Sequence, residues 1–206
     1  MERTTLAAGS LSAALAVLTS SQVTVPRGAD VVVVTTAAAF TGATRAAVEV
    51  AEAFGELEAR VEGVMVLDRA SSAEPYFAQR IADADVAVLT DGSALHARAV
   101  WRDTPVGAAI DGASLVVAIG SVATVLGNVM IDPRGGAPTV GLGYRSGVVL
   151  GFAAPPAQLA RTRDLLGADE TFVVVESDGA VLGVGAAWRV VRPGVVVTRG
   201  AVVVEL

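Results

Sequence analysis

The segment Ala29–Thr36, ADVVVVTT, constrains the fold more than any other part of the chain. Four consecutive valines leave no polar side for water. A strand there is buried on both faces, as in a parallel sheet covered by helices. The neighbouring segments alternate in the same sense. Thr44–Arg60, TRAAVEVAEAFGELEAR, has helical periodicity with its charges to one side, and Val61–Asp68 reads as the next strand. Ser71–Ala84 reads as a helix, with Ser72 as N-cap and Pro75 in the first turn, where its missing N–H is tolerated. Asp85–Thr90 is a further strand, DGSALHARAVW a loop running into a helix, and Ser114–Gly120 another strand. At the N-terminus, TTLAAGS reads as a strand and LSAALAVL as a helix.

Beyond Gly147, GVVLGF and TFVVVES are strands separated by the helix PPAQLARTRDLLG. The closing AAWRVVRPGVVVTRGAVVVEL alternates around Arg-Pro-Gly and Arg-Gly, as hairpins do. The expected class is α/β: one three-layer α/β/α domain over residues 1–206, with a mainly parallel central sheet and antiparallel C-terminal hairpin strands.

Composition narrows the chemistry. The net charge is −6 and no basic stripe occurs, so nucleic acid is not expected as a partner. All 15 basic residues are Arg. Without Lys there is no Schiff base, no Walker-A phosphate clamp and no Ser-Lys dyad. Cys is absent, which removes disulfides, thiolate metal sites and a Cys nucleophile. The single His, His96, has no motif that gathers carboxylates around it, so neither a metal nor a cofactor is expected. No apolar run reaches the roughly 18–20 residues of a membrane helix. The first residues resemble a weak signal peptide, but Glu2 offsets Arg3 and no A-x-A site follows. A first strand and helix in a cytoplasmic protein is the expectation. The 53% hydrophobic content favours an oligomer.

Ligands of open parallel sheets bind beyond the C-terminal strand ends. Those ends are Thr90-Asp91-Gly92-Ser93, Gly120-Ser121 and Gly151-Phe152. Ser121 is a candidate nucleophile. An elbow of the G-x-S-x-G kind needs small residues two before and two after, and here they are Ile119 and Ala123. Ala fits and Ile is bulky, so an N-cap role for Ser121 is favoured by local chemistry. The only candidate base is His96. In Asp132–Tyr144, G-x-G occurs without the dinucleotide-binding G-x-G-x-x-G, and Gly135, Gly136, Gly141 and Gly143 permit unusual backbone angles. Arg134 either holds a ligand carboxylate or pairs with Asp132.

VVVVTTAAAFTGATRAAVEVAEAFGELEARVEGVMVLDRASSAEPYFAQRIADADVAVLTDGSALH, then DPRGGAPTVGLGY and the closing WRVVRPGVVVTRG, resemble the peptidase S51 family, which includes dipeptidase E and cyanophycinase. The likeness runs from about Ala29 to Leu206, with VLDR (Val66–Arg69) and DPRGGA (Asp132–Ala137) its most specific parts. It implies a class I glutamine amidotransferase-like fold and a Ser-His-acid hydrolase. The family's elbow reads G-S-S-A-G-A, its histidine sits in a V-V-P-H-like strand end, its acid in I-D-E-x-T-A-L, and its oxyanion loop reads S-G-G-D or S-G-G-N. By that resemblance, the nucleophile position falls on Gly120, the histidine position on Gly151 and the acid position on Ser177, with Glu176 beside it. Asp91 stands where the oxyanion loop has glycine, and a carboxylate there opposes a developing oxyanion.

Three readings follow. One is a non-catalytic homologue, a homodimer or a partner of an active paralogue. Another is a serine hydrolase acting on acidic peptides or isopeptides, with Ser121 as nucleophile, His96 as base and Asp91 or Glu176 as the orienting acid. In the last, the cleft, lined by Ser121, Asp91, Gly92, Arg134 and Glu176, binds an amino acid or small acidic peptide.

Overall fold

The protein is described by a computed structural model covering residues 3–152, 154–200 and 202–206. In chain order its strands are β1 (Thr4–Ala8), β2 (Asp30–Val34), β3 (Arg60–Val64), β4 (Val86–Leu89), β5 (Leu115–Ile119), β6 (Val129–Ile131) and β7 (Pro138–Val140), followed by β8 (Val149–Phe152), β9 (Thr171–Val175), β10 (Ala180–Val184), β11 (Ala187–Arg192), β12 (Val195–Arg199) and β13 (Val202–Val203). The helices are α1 (Leu11–Leu18), α2 (Ala43–Gly55), α3 (Arg69–Ser72), α4 (Pro75–Asp83), α5 (Ala94–Trp101), α6 (Pro105–Gly112) and α7 (Pro156–Leu165).

The valine run, as β2, lies inside a seven-stranded sheet ordered β11-β10-β1-β5-β4-β2-β3. β1, β5, β4, β2 and β3 run parallel, and β10 and β11 add an antiparallel edge. Alternation along each strand splits the core into two layers. Val32, Val34, Leu89 and Val116 pack with Ile81 of α4, Trp101 of α5 and Ile110 of α6. Val31, Val33, Val88 and Val117 pack on the other side with Val17 of α1 and Phe54 of α2. This is the expected three-layer α/β/α architecture.

Side-chain caps start several of the helices. Ser10 caps α1, accepting from the Ala13 N–H at 3.2 Å, and Ser93 caps α5 through the His96 N–H at 3.3 Å. Thr104 caps α6 ahead of Pro105, a start signal visible in the sequence.

Boundaries shift where side chains compete for the backbone. The helix expected to run to Arg60 ends at Gly55, because a left-handed turn at Glu58 (φ 54°) sends Arg60 into register with Asp30. The strand expected to reach Asp68 ends at Val64. Beyond it the Thr36 hydroxyl donates to the Val66 carbonyl at 2.6 Å, and Asp68 becomes the cap of α3. Ser72 is therefore not an N-cap: its Oγ is buried 2.8 Å from Thr104 Oγ1, and Pro75 opens a separate helix, α4.

The larger correction is at the C-terminus. β8, β9, β12 and β13 form a second, four-stranded sheet, ordered β13-β12-β9-β8. β12 and β13 pair as the hairpin expected around Arg199-Gly200. Arg192-Pro193-Gly194 makes no hairpin, because β11 pairs with β10 while β12 pairs with β9. That turn carries the chain from one sheet to the other. Val173, Val175 and Val197 of the second sheet join the same buried layer as Trp101.

Trp101 is fully buried, and its indole N–H donates to Thr36 Oγ1 at 2.9 Å. With the Thr36–Val66 bond, this ties α5 to the ends of β2 and β3. Trp101→Phe and Thr36→Val should each cost about 1–3 kcal/mol. Because they share one chain of bonds, the double variant should cost less than the sum, read by urea unfolding. Strict additivity would contradict the shared network.

Candidate functional site

β4 and β5 are neighbours, with Leu89 opposite Ala118, so the segments leaving them meet at the C-terminal edge of the sheet. Leaving β4, the loop Thr90–Ser93 is pinned by its glycine. Gly92 has φ 144°, and a Cβ there would run into the Ala37 carbonyl, so no other residue fits. The Ser93 N–H donates to that carbonyl at 2.7 Å. Leaving β5, the chain enters a 3-10 turn, Gly120–Leu126.

Asp91 joins the two segments. Its Oδ1 accepts from the Gly92 N–H at 2.7 Å, the Ser121 N–H at 2.9 Å and the Ser121 hydroxyl at 2.9 Å. Gly120 has φ +64°, the left-handed backbone of a sharp strand-to-helix turn. A Cβ on Gly120 would lie 2.5 Å from Asp91 Oδ1 and 2.6 Å from Oδ2, well inside van der Waals contact. The carboxylate fills the space a side chain at 120 would take.

Ser121 is therefore not the N-cap that local sequence favours. Ile119 holds the cap position without a side-chain bond, and Asp91 caps the turn from the adjacent loop. The Ser121 hydroxyl is within reach of two acceptors, the Gly92 carbonyl at 2.7 Å and Asp91 Oδ1.

His96 is engaged elsewhere. Its Nε2 donates to the Leu67 carbonyl at 2.8 Å, and its ring meets Phe40 edge-on at 4.6 Å. No Ser121–His96–Asp91 relay is built, since Asp91 bonds the serine directly. Glu176 and Ser177 lie exposed in the turn after β9, where the Glu176 N–H donates to the Gly194 carbonyl at 2.8 Å. A Cβ on Gly9 would collide with the Glu176 carbonyl, so this turn packs on the loop after β1.

Besides Asp91, Ser121 meets a further predicted position. Ser121 and Gly151 line one cavity of about 200 Å³, with Phe152 and Phe172 from the second sheet and Leu159 from α7. A Cβ on Gly151 would lie 2.7 Å from the Phe172 ring, so that ring occupies the space of a side chain at 151. Asp91 lines a neighbouring cavity of about 170 Å³ with Thr90, Ile119 and Arg45. Arg134 points to neither. It pairs with Asp132, Nη2 to Oδ2 at 2.6 Å and Nε to Oδ1 at 2.9 Å. Among the described residues, no three His, Asp or Glu side chains gather as metal ligands would.

Sequence reading missed Thr124, Gln158, Leu159 and Thr162, which also line the first cavity. A signal for the last three existed. Gln158 and Thr162 are i, i+4 neighbours on α7, with Leu159 beside them.

The Arg134 hydrogen bonds hold the Asp132 carboxyl down to about 2, from an ordinary 3.8. A depressed acid stabilises the fold above its unfolded value and loses that contribution as pH falls towards its folded value. Wild type should therefore lose more thermal stability than Asp132→Asn between about pH 4 and pH 2. Parallel melting curves for the two would contradict the pairing.

No family model and no curated protein matches the sequence. Solved structures do match its fold. A peptidase from an acI-B1 Actinobacterium superposes with a TM-score of 0.74 at 16% identity, over 100% of this chain and 94% of the other. A candidate peptidase E from Listeria monocytogenes EGD-e superposes with a TM-score of 0.69 at 12% identity, over 93% of this chain and 99% of the other. No helix among the described residues is long and apolar enough to cross a membrane. The chain has the fold of these two peptidases.

Proposed function

We propose that the chain is a non-catalytic relative of these peptidases, one that keeps the fold and the elbow backbone and uses the old cleft to bind rather than to cleave. The observation that carries this reading is the Asp91 carboxylate lying where a side chain on Gly120 would go. A serine hydrolase needs a hydroxyl at the elbow, a base to take its proton, and donors aimed at the developing oxyanion. Here the elbow residue has no side chain. Its neighbour, Ser121, is bonded to a carboxylate and a backbone carbonyl. The only imidazole is committed to Leu67. A negative charge beside the turn opposes the charge that acyl transfer creates. Triad groups act as a unit, so losses at several of them leave little for any survivor to do.

A homodimer, or a silent partner of an active paralogue, accords with the exposed valines Val196, Val202 and Val203 on the second sheet. The reading includes a cytoplasmic setting.

The direct test is labelling by a fluorophosphonate probe, followed by peptide mass spectrometry and an assay of acidic dipeptide hydrolysis. No adduct at Ser121 and no turnover above buffer are expected. An adduct at Ser121 that disappears in Ser121→Ala, with kcat in the ordinary enzyme range of roughly 1–1,000 per second, would overturn the proposal.

A further inference from the structure

The cavity at Ser121 has a lining that specifies more than loss of catalysis. Its body is apolar, formed by Ile131, Phe152, Pro155, Leu159 and Phe172. Among the described residues, no Arg, Asp, Glu or His side chain lines it. Its polar groups are Ser121, Thr124, Gln158 and Thr162.

The protons of those groups are largely committed. Ser121 Oγ donates to the Gly92 carbonyl or Asp91 Oδ1, at 2.7 and 2.9 Å. Thr124 Oγ1 donates to the Ser121 carbonyl at 2.9 Å, and Thr162 Oγ1 to the Gly136 carbonyl at 2.6 Å. Gln158 Nε2 donates to the Pro133 carbonyl at 3.3 Å and keeps one N–H in reserve. A hydroxyl has one proton and two lone pairs, so each of these hydroxyls has only acceptor capacity left. Gln158 Oε1 adds another acceptor. The cavity therefore offers lone pairs on an apolar wall, with the Asp91 charge behind Ser121.

A carboxylate entering here would set acceptors against acceptors and lose its hydration with no cation in compensation. Arg134, the arginine the sequence offered for a ligand carboxylate, is held by Asp132. Size narrows the ligand further. An apolar cavity of about 150 Å³ holds benzene. The space of about 200 Å³ suits one ring, or a short branched chain, with a small polar head.

We infer that this cavity binds a small, uncharged, mostly apolar molecule that donates a hydrogen bond, of the class of a phenol or a short branched alcohol. The inference rests on the reading of the site as a binding cleft and replaces the acidic ligand expected from the sequence. The ligand's hydroxyl proton goes to Ser121 Oγ or Thr124 Oγ1, and its carbon body lies against Phe152, Leu159 and Phe172.

The test is a heteronuclear NMR titration of the whole chain with phenol, toluene and benzoate in parallel. Phenol should give saturable shifts confined to Ser121–Val125, Gln158–Thr162 and Phe172. Toluene should bind about fivefold to tenfold more weakly, the loss of one neutral hydrogen bond, and benzoate should not saturate. Leu159→Trp, which fills the cavity, should abolish the phenol shifts while the circular dichroism spectrum is kept. Ser121→Ala combined with Thr124→Val should weaken phenol but not toluene, which keeps the test decisive if the tryptophan variant does not fold. Benzoate saturating as tightly as phenol would overturn the inference. So would toluene matching phenol, or no saturable binding of either. A fluorophosphonate adduct at Ser121 would instead sink the non-catalytic reading and leave the binding result standing, so the two failures are distinct.

Discussion

The Asp91 carboxylate and a side chain at position 120 exclude one another, and the functional end of the molecule is organised around that exclusion. One oxygen of Asp91 gathers the N–H groups of Gly92 and Ser121 and reaches the Ser121 hydroxyl. It thereby holds the loop leaving β4 against the turn leaving β5. Such charge-assisted bonds are stronger than neutral ones. They suit a turn that begins with Gly120 in the left-handed region and has no cap of its own. A carboxylate that stabilises this turn also fills the space a side chain on Gly120 would take.

The second sheet repeats the pattern. At Gly151 the missing side chain is replaced by the ring of Phe172, which comes from the adjacent strand β9. Both glycines sit at or beside strand ends, and at both a neighbour fills the space a side chain would take. What lies between them is a cavity with aromatic and aliphatic walls and hydroxyls whose protons point into the protein. Among the described residues no charged side chain lines it, and a buried charge is costly without a partner.

The parallel core was legible because burial on both faces leaves a plain mark, an unbroken apolar run, and β2 bears it. Helix starts are marked where Ser93 and Thr104 precede the first turns of α5 and α6. Ends were harder, because Thr36 and Asp68 divert backbone groups that would have prolonged β3. The two-sheet arrangement was not legible. Arg192-Pro193-Gly194 has the composition of a hairpin turn, and only the pairing of β11 with β10 and β12 with β9 shows that it joins two sheets. At the site, the resemblance to the S51 family marked Gly120, Gly151 and Asp91 as unusual for a hydrolase. It had no means of showing that Asp91 occupies the space beside Gly120, since that contact spans residues far apart in the chain.

A double-mutant cycle on folding stability tests that exclusion most directly, using Gly120→Ala, Asp91→Gly and the combination. In the Asp91→Gly background, Gly120→Ala should cost only the left-handed strain of about 1–2 kcal/mol. With Asp91 present the methyl must also displace the carboxylate, so the cost should exceed that figure by about 1 kcal/mol or more, a clear coupling energy. Additivity within about 0.5 kcal/mol would contradict the picture of Asp91 filling the space at Gly120.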